Sequence, residues 1–182
     1  MKALAFFSFL FVLNLLVAQE VLFANQQHDF EIMYPASWQS AEYVSQEVAF
    51  NVWNPIKNDK DFKETVNITV IKTKTSDLET CYNTSLMMME EMRKDEGIHF
   101  EKMGSTTIND FKSYWATYTT VQIQKKGWFK KKEVRKSKVY FMVRDRKQFM
   151  ITCTALQAEF SQFEAAFDEI AKSFVFIEKT NV

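Results

Sequence analysis

Apolar and polar positions alternate with a period of two at Phe30-Glu31-Ile32-Met33-Tyr34, and Pro35 stops the run. This predicts a strand entering a turn at Pro35-Ala36-Ser37. Val48, Phe50 and Val52 alternate with Ala49, Asn51 and Trp53 before Pro55, and Val66, Ile68 and Val70 alternate with Asn67 and Thr69. Each run reads as a strand with one better-buried face, and the charged stretch Lys57–Glu64 between them reads as a solvated loop. The period then changes. Wound at about 3.6 residues per turn, Leu78, Cys81, Tyr82, Ser85, Leu86, Met88, Met89 and Met92 share one arc, with Met87 an apolar outlier. That predicts an amphipathic helix capped by Ser76 or Asp77 and ended before Gly97. Strands resume at Phe100–Met103, Tyr114–Gln124, Val134–Arg144 and Gln148–Ala155. Asn109-Asp110 and Asp145-Arg146-Lys147 read as tight turns, and Lys125-Lys126-Gly127 closes the longer hairpin. A second helix carries Phe160, Phe163, Phe167, Ile170 and Phe174 on one side, with Ser161 and Glu164 placed as a capping box. Phe174-Val175-Phe176 leaves it as an extended piece.

Strand neighbours joined by short turns make a mainly antiparallel sheet of about seven strands, and two one-sided helices must cover part of it. The expected class is α+β. Residues 19–182 are expected to form one domain, because residues 1–18 have a separate character: Met1-Lys2, the apolar run Ala3–Ala18, then polar Gln19. This is the layout of a secretory signal peptide cleaved after Ala18, so the expected location is secreted or periplasmic. No later run is apolar for long enough to span a bilayer, and the mature chain is expected to be a monomer.

Composition narrows the chemistry. Three Gly and two Pro in 182 residues remove Gly-rich phosphate loops and dinucleotide fingerprints. Twenty-three basic side chains against 23 acidic ones leave no global field to draw in nucleic acid. His28 and His99 lack partners at the spacing of a metal or acid–base motif and read as solvent-facing. No serine lies in a Gly-flanked elbow. The carboxylates Asp59, Asp61 and Glu64, and Glu90, Glu91, Asp95 and Glu96, read as solvated. The expected protein is therefore not an enzyme, with no catalytic residue, metal site or cofactor. Cys81 and Cys153 read as small buried thiols, with a disulfide between them as the alternative. Asn67-Ile68-Thr69 and Asn83-Thr84-Ser85 match the N-glycosylation acceptor pattern.

Two features suggest binding. Lys125, Lys126, Lys130, Lys131, Lys132, Arg135, Lys136 and Lys138 surround Trp128 and Phe129 at a hairpin end, opposed only by Glu133. Charge so concentrated attracts an acidic protein or an anionic membrane surface, and two aromatics would anchor the contact. Alternatively, the lysines serve only to discourage edge pairing. The Met-rich helix is the second feature. Its stripe reads as core, or as one wall of a pocket lined by Leu78, Tyr82, Met89 and Met92, which would make the protein a periplasmic carrier of a small ligand or lipid.

The opening Phe30-x-Ile32-x-Tyr34-Pro35-x-x-Trp38, the strand Val66-Asn67-Ile68-Thr69-Val70 before the first helix, Phe149-Met150-Ile151-Thr152-Cys153-Thr154-Ala155 and the closing Ile170-Ala171-Lys172-Ser173-Phe174 occur in the order found in the PsbP family. The chain resembles that family, which includes the extrinsic protein of the photosynthetic oxygen-evolving complex, bacterial exported relatives and a eukaryotic branch that binds the Ran GTPase. The resemblance implies a PsbP-like sandwich and an exported binding or assembly-accessory role without chemistry. It does not imply photosynthesis: the leader has a bacterial or general secretory layout, and no functional residue of the family carries onto a numbered position here.

Overall fold

The structure, a computed structural model, describes residues 19–41, 47–55, 62–92, 97–126 and 129–178, except the side chains of 92, 124–126 and 129–131. The predicted leader lies outside the described residues. Ten strands and two helices follow in the order β1 (Glu20–Asn25), β2 (Phe30–Pro35), β3 (Gln39–Ser40), β4 (Val48–Trp53), β5 (Thr65–Lys72), α1 (Leu78–Met92), β6 (His99–Ile108), β7 (Phe111–Lys126), β8 (Phe129–Arg144), β9 (Lys147–Leu156), α2 (Phe160–Lys172) and β10 (Val175–Phe176). They make an α+β fold, with one antiparallel sheet of seven strands in the order β3-β4-β5-β9-β8-β7-β6 and a second sheet of three in the order β1-β2-β10.

The first predicted strand therefore does not extend the main sheet. It forms the middle of the small sheet, where Phe30, Ile32 and Tyr34 are buried and Glu31 and Met33 look outward. The unbroken apolar run Val21-Leu22-Phe23-Ala24, which does not alternate, hid β1, whose Glu20–Asn25 pairs fully with β2 yet is half-buried only at Phe23 and Asn25.

One face of the large sheet carries the aromatic core. Val66, Ile68, Phe149, Ile151, Cys153 and Met142 pack there against the small sheet and α2. Phe30 stacks on Phe174 at 5.3 Å, and Trp38 meets Phe167 edge-on at 6.2 Å. Phe30, Ile32, Tyr34 and Trp38 of the opening motif thus enter one core. Ser173 of the closing motif accepts a hydrogen bond from the Met33 N–H at 2.9 Å and lies within donating distance of the Ile170 and Met33 carbonyls. That hydroxyl ties α2 to the small sheet.

The turns behave as their residues require. Asn109 and Asp110 have φ of 41° and 68°, and Asp145 and Arg146 have 52° and 56°; both pairs are two-residue hairpin turns of the kind that Asn and Asp tolerate. Asn109 also donates through Nδ2 to the carbonyls of Lys172 and Phe174, closing the C-terminal end of α2. Gly104 is needed for space, since a Cβ there would lie 2.8 Å from the Trp115 ring.

Two local expectations need correction. Asp77 does cap α1, its carboxylate accepting from the Thr80 N–H at 2.7 Å, but Ser161 and Glu164 form no capping box. The turn after Leu156 starts α2 early enough to bury Phe160, with Glu159 as its cap residue and no side-chain cap bond; Glu164 instead approaches Lys138 at 3.9 Å. Glu64 is not solvated. It is fully buried, accepting from Asn54 Nδ2 at 3.2 Å where Asn54 N–H meets the Glu64 carbonyl.

Candidate functional site

The two faces of the large sheet are covered unequally, and this creates the first candidate surface. Row by row, Thr65, Thr154, Ser137 and Tyr118 are register partners across β5, β9, β8 and β7, and so are Asn67, Thr152, Val139 and Ala116. Helix α1 lies over the β7–β8 half, where Tyr82 packs with Ala116, Tyr118, Val139 and Phe141. Over the β5–β9 half the face is polar and open, which leaves a groove of about 900 Å3 between α1 and the sheet. Ser85, Met88 and Met89 line its α1 side, and Phe62, under the Arg135 guanidinium at 4.3 Å, lines its opposite end.

The pocket expected from the sequence thus exists with different walls. Met89 lines it, but Leu78 and Tyr82 are spent in the packed cluster, and the Met92 side chain lies outside the described residues. Burial, with Tyr114 nearby, pushes the Tyr82 phenol up from its ordinary value.

The second candidate surface is the basic hairpin. Pairing with β6 ends at His99↔Thr119 and pairing with β9 at Arg135↔Leu156, while the β7–β8 ladder continues to Lys126↔Phe129. Five rungs from Gln122↔Glu133 outward therefore belong to the hairpin alone. At ~3.4 Å per residue they form an arm roughly 15 Å long. Lys125 and Lys130 are register partners on it, and like charges directly opposite destabilise a ladder.

The nine predicted docking residues do not share one setting. Lys132 is exposed, whereas Arg135 and Lys136 at the arm's root are engaged internally. Arg135 pairs with the buried Glu133 at 2.7 Å, and Lys136 pairs with Glu101 at 2.6 Å. Lys138, named beside them, pairs with Asp168 of α2 at 2.7 Å. The side chains of Lys125, Lys126, Phe129, Lys130 and Lys131, and the whole of Gly127 and Trp128, lie outside the described residues.

Asp168 also accepts from Tyr140 at 2.7 Å. Burial and that carboxylate hold the Tyr140 phenol far above its ordinary range. Burial, again with Asp168 nearby, raises the thiol of Cys153, which is fully buried and poorly suited to nucleophilic work. Cys81 and Cys153 are both free and buried, so the thiol reading holds and the disulfide does not form.

His99 is exposed as expected, but His28 is half-buried beside Arg144, Lys147 and Glu178 in a cavity of about 340 Å3. Burial, helped by Lys147 and opposed by Asp29, lowers its pKa from the ordinary value, and its Nδ1 has no hydrogen-bond partner among the described residues. Also among the described residues, no cluster of three or more His, Cys, Asp and Glu side chains has the geometry of a metal site, and no helix is long and apolar enough to cross a membrane.

No family model and no curated protein matches the chain. Solved structures do. Cyanobacterial PsbP from Synechocystis superposes with a TM-score of 0.60 at 12% identity, covering 90% of this chain and 95% of that one. LpqN of Mycobacterium tuberculosis, described as involved in cell envelope biogenesis, gives 0.60 at 13% identity over 88% and 91%. The Saccharomyces cerevisiae Ran-binding protein Mog1p gives 0.60 at 9% identity over 90% and 98%. At these identities the likeness is one of architecture: this chain has the PsbP-like α+β fold.

Proposed function

We propose that the protein is an exported, non-enzymatic binding or assembly-accessory domain that works as a monomer and docks to an acidic protein or anionic surface through the basic arm of β7 and β8. The observation carrying this reading is that the arm outruns both neighbouring strands while bearing Lys125, Lys126, Lys130, Lys131 and Lys132. A hairpin extended beyond its sheet buries little, so its length is better explained by what it reaches than by fold stability. Support for export comes from the apolar leader and from β1, which begins at Glu20 just past the predicted cleavage point. The cell-envelope role in the description of LpqN and the Ran binding in that of Mog1p are compatible with a docking module on this fold, an argument by analogy.

The test is Lys130→Glu, Lys131→Glu and Lys132→Glu together, leaving Arg135 in place because it neutralises buried Glu133. Binding to acidic vesicles, or to an acidic partner captured from the exported fraction, should be lost, while thermal stability changes little. Wild-type binding should also weaken as added salt shortens the Debye length below ~8 Å. Unchanged binding after the triple reversal would remove the arm as the site.

A second reading, a carrier of a small ligand, is favoured by the groove beside α1. Its volume of about 900 Å3 falls within the usual range of ligand sites, roughly 300–1,000 Å3.

A further inference from the structure

We infer that the groove beside α1 is a saccharide site, taking a short neutral sugar chain laid across the open half of the large sheet. This rests on the carrier reading above and names its ligand class. The floor is built from neutral hydroxyl and amide side chains, Thr65 and Asn67 from β5, Thr152 and Thr154 from β9, Ser137 from β8 and Thr120 from β7. Such groups both donate and accept, as sugar hydroxyls do. Ser137 and Thr154 already share a hydrogen bond of 2.8 Å, and each retains capacity for another partner. Met88 and Met89 on the α1 side, with Phe62 at the opposite end, supply the apolar contact that the C–H faces of a sugar ring require.

Hydrogen-bonding demand also persists behind Ser85, which lines the groove. Ser85 donates to Gln148 Oε1 at 2.8 Å, while Gln148 Nε2 has no partner although the residue is only 2% exposed. Gln148 is the register partner of Ile71, a groove residue.

Other ligand classes fit less well. An acyl chain would strip water from the floor hydroxyls and return no hydrogen bond, an uncompensated cost. An added peptide strand needs free backbone groups, yet β5, β9 and β8 are each paired on both edges. An anion finds no net charge to hold it. Arg135 is matched by Glu133, and at the other end Glu47 and Lys72 carry opposite signs.

The experiment is a titration of the 15N-labelled protein with maltohexaose, cellohexaose and the hexamer of N-acetylglucosamine at millimolar concentration, with decanoate as the acyl probe. The expected result is saturable amide shifts at Asn67, Thr152 and Thr154 with one of the three sugars. Asn67→Leu with Thr152→Val should weaken that binding about tenfold or more, as loss of two hydrogen-bonding groups predicts; Thr154→Val serves if the double variant does not fold. The triple charge reversal of the arm should leave it intact. Shifts at the same residues with decanoate and none with sugar would overturn the saccharide assignment and leave the carrier reading standing. Silence to all four probes would overturn both, and undiminished sugar binding by the folded variants would overturn the location.

Discussion

The two faces of the seven-stranded sheet are built from the same strands by the same alternation, yet they end in different states. On the face toward α2, inward positions are nearly all large and apolar. Helix and small sheet seal it with interlocked rings, Phe30, Phe149, Phe174 and Phe176 lying within about 6.2 Å of one another in successive pairs. On the face toward α1, the apolar cluster sits mainly on the β7–β8 half, and α1 lies chiefly over that half, reaching β9 at Gln148 and Met150. The β5–β9 half carries Thr and Asn and stays open as the groove. The contrast shows that a single sheet can assign stability to one side and leave the other free to bind, because burial is decided by what packs on a face and not by the strands themselves.

Truncating each side's helix should break this comparison most sharply. Phe167→Ala, at a fully buried position between Trp38 and Phe160, should cost about 3–5 kcal/mol in urea unfolding. Met89→Ala, half-buried at the groove, should cost only about 1 kcal/mol, since part of its surface remains in water. Similar losses from both would mean that the α1 face is as tightly packed as the other.

An intermediate effect is expected at the polar node holding α2 to the sheet. Asp168→Ala removes the partner of Lys138 and the acceptor of Tyr140 together. Fully buried pairs cost roughly 3–5 kcal/mol to break, and partial exposure of Asp168 brings the expectation to about 2 kcal/mol. If Lys138→Met with Asp168→Leu recovers the stability, the pair matters through the charge left unpaired and not as a net source of stability.

Smaller still is the cap of α1. Hydrogen bonds from Thr80 hold the Asp77 carboxyl below its ordinary value of 3.8. A carboxyl depressed in the folded state contributes above its unfolded pKa, and the contribution is lost as pH falls through the folded one. Melting curves of Asp77→Ala and wild type should therefore differ slightly at neutral pH and converge in acid below about pH 3.8. A difference that persists there would assign the effect to helix propensity. The least change in stability belongs to the arm, where reversing Lys130, Lys131 and Lys132 should move unfolding by no more than about 0.5 kcal/mol and show its effect in binding alone.

The residue pattern by itself determined the α+β class, both helices, the hairpin turns and the aromatic stripe of α2. Each of these is a local event: period, cap and turn chemistry lie within a few residues of one another. Asn109-Asp110 announces its turn, and Phe160, Phe163, Phe167 and Ile170 announce a buried face, wherever the chain goes next. Only the tertiary structure decided which strands pair. β5 lies beside β9, joining Asn67 to Thr152 across nearly half of the sequence, and without that pairing Thr65, Asn67, Thr152 and Thr154 read as ordinary outward positions. The same holds for β1, whose largely exposed residues are recruited by β2, and for the separate small sheet. Lys136 looked like free charge because Glu101 becomes its partner only when the strands align, whereas the partner of Arg135, Glu133, stands two residues away on the same strand. Alternation fixes that a side chain points to one face or the other; which face is water, helix or sheet is set by long-range contacts, and the position of the groove follows from them.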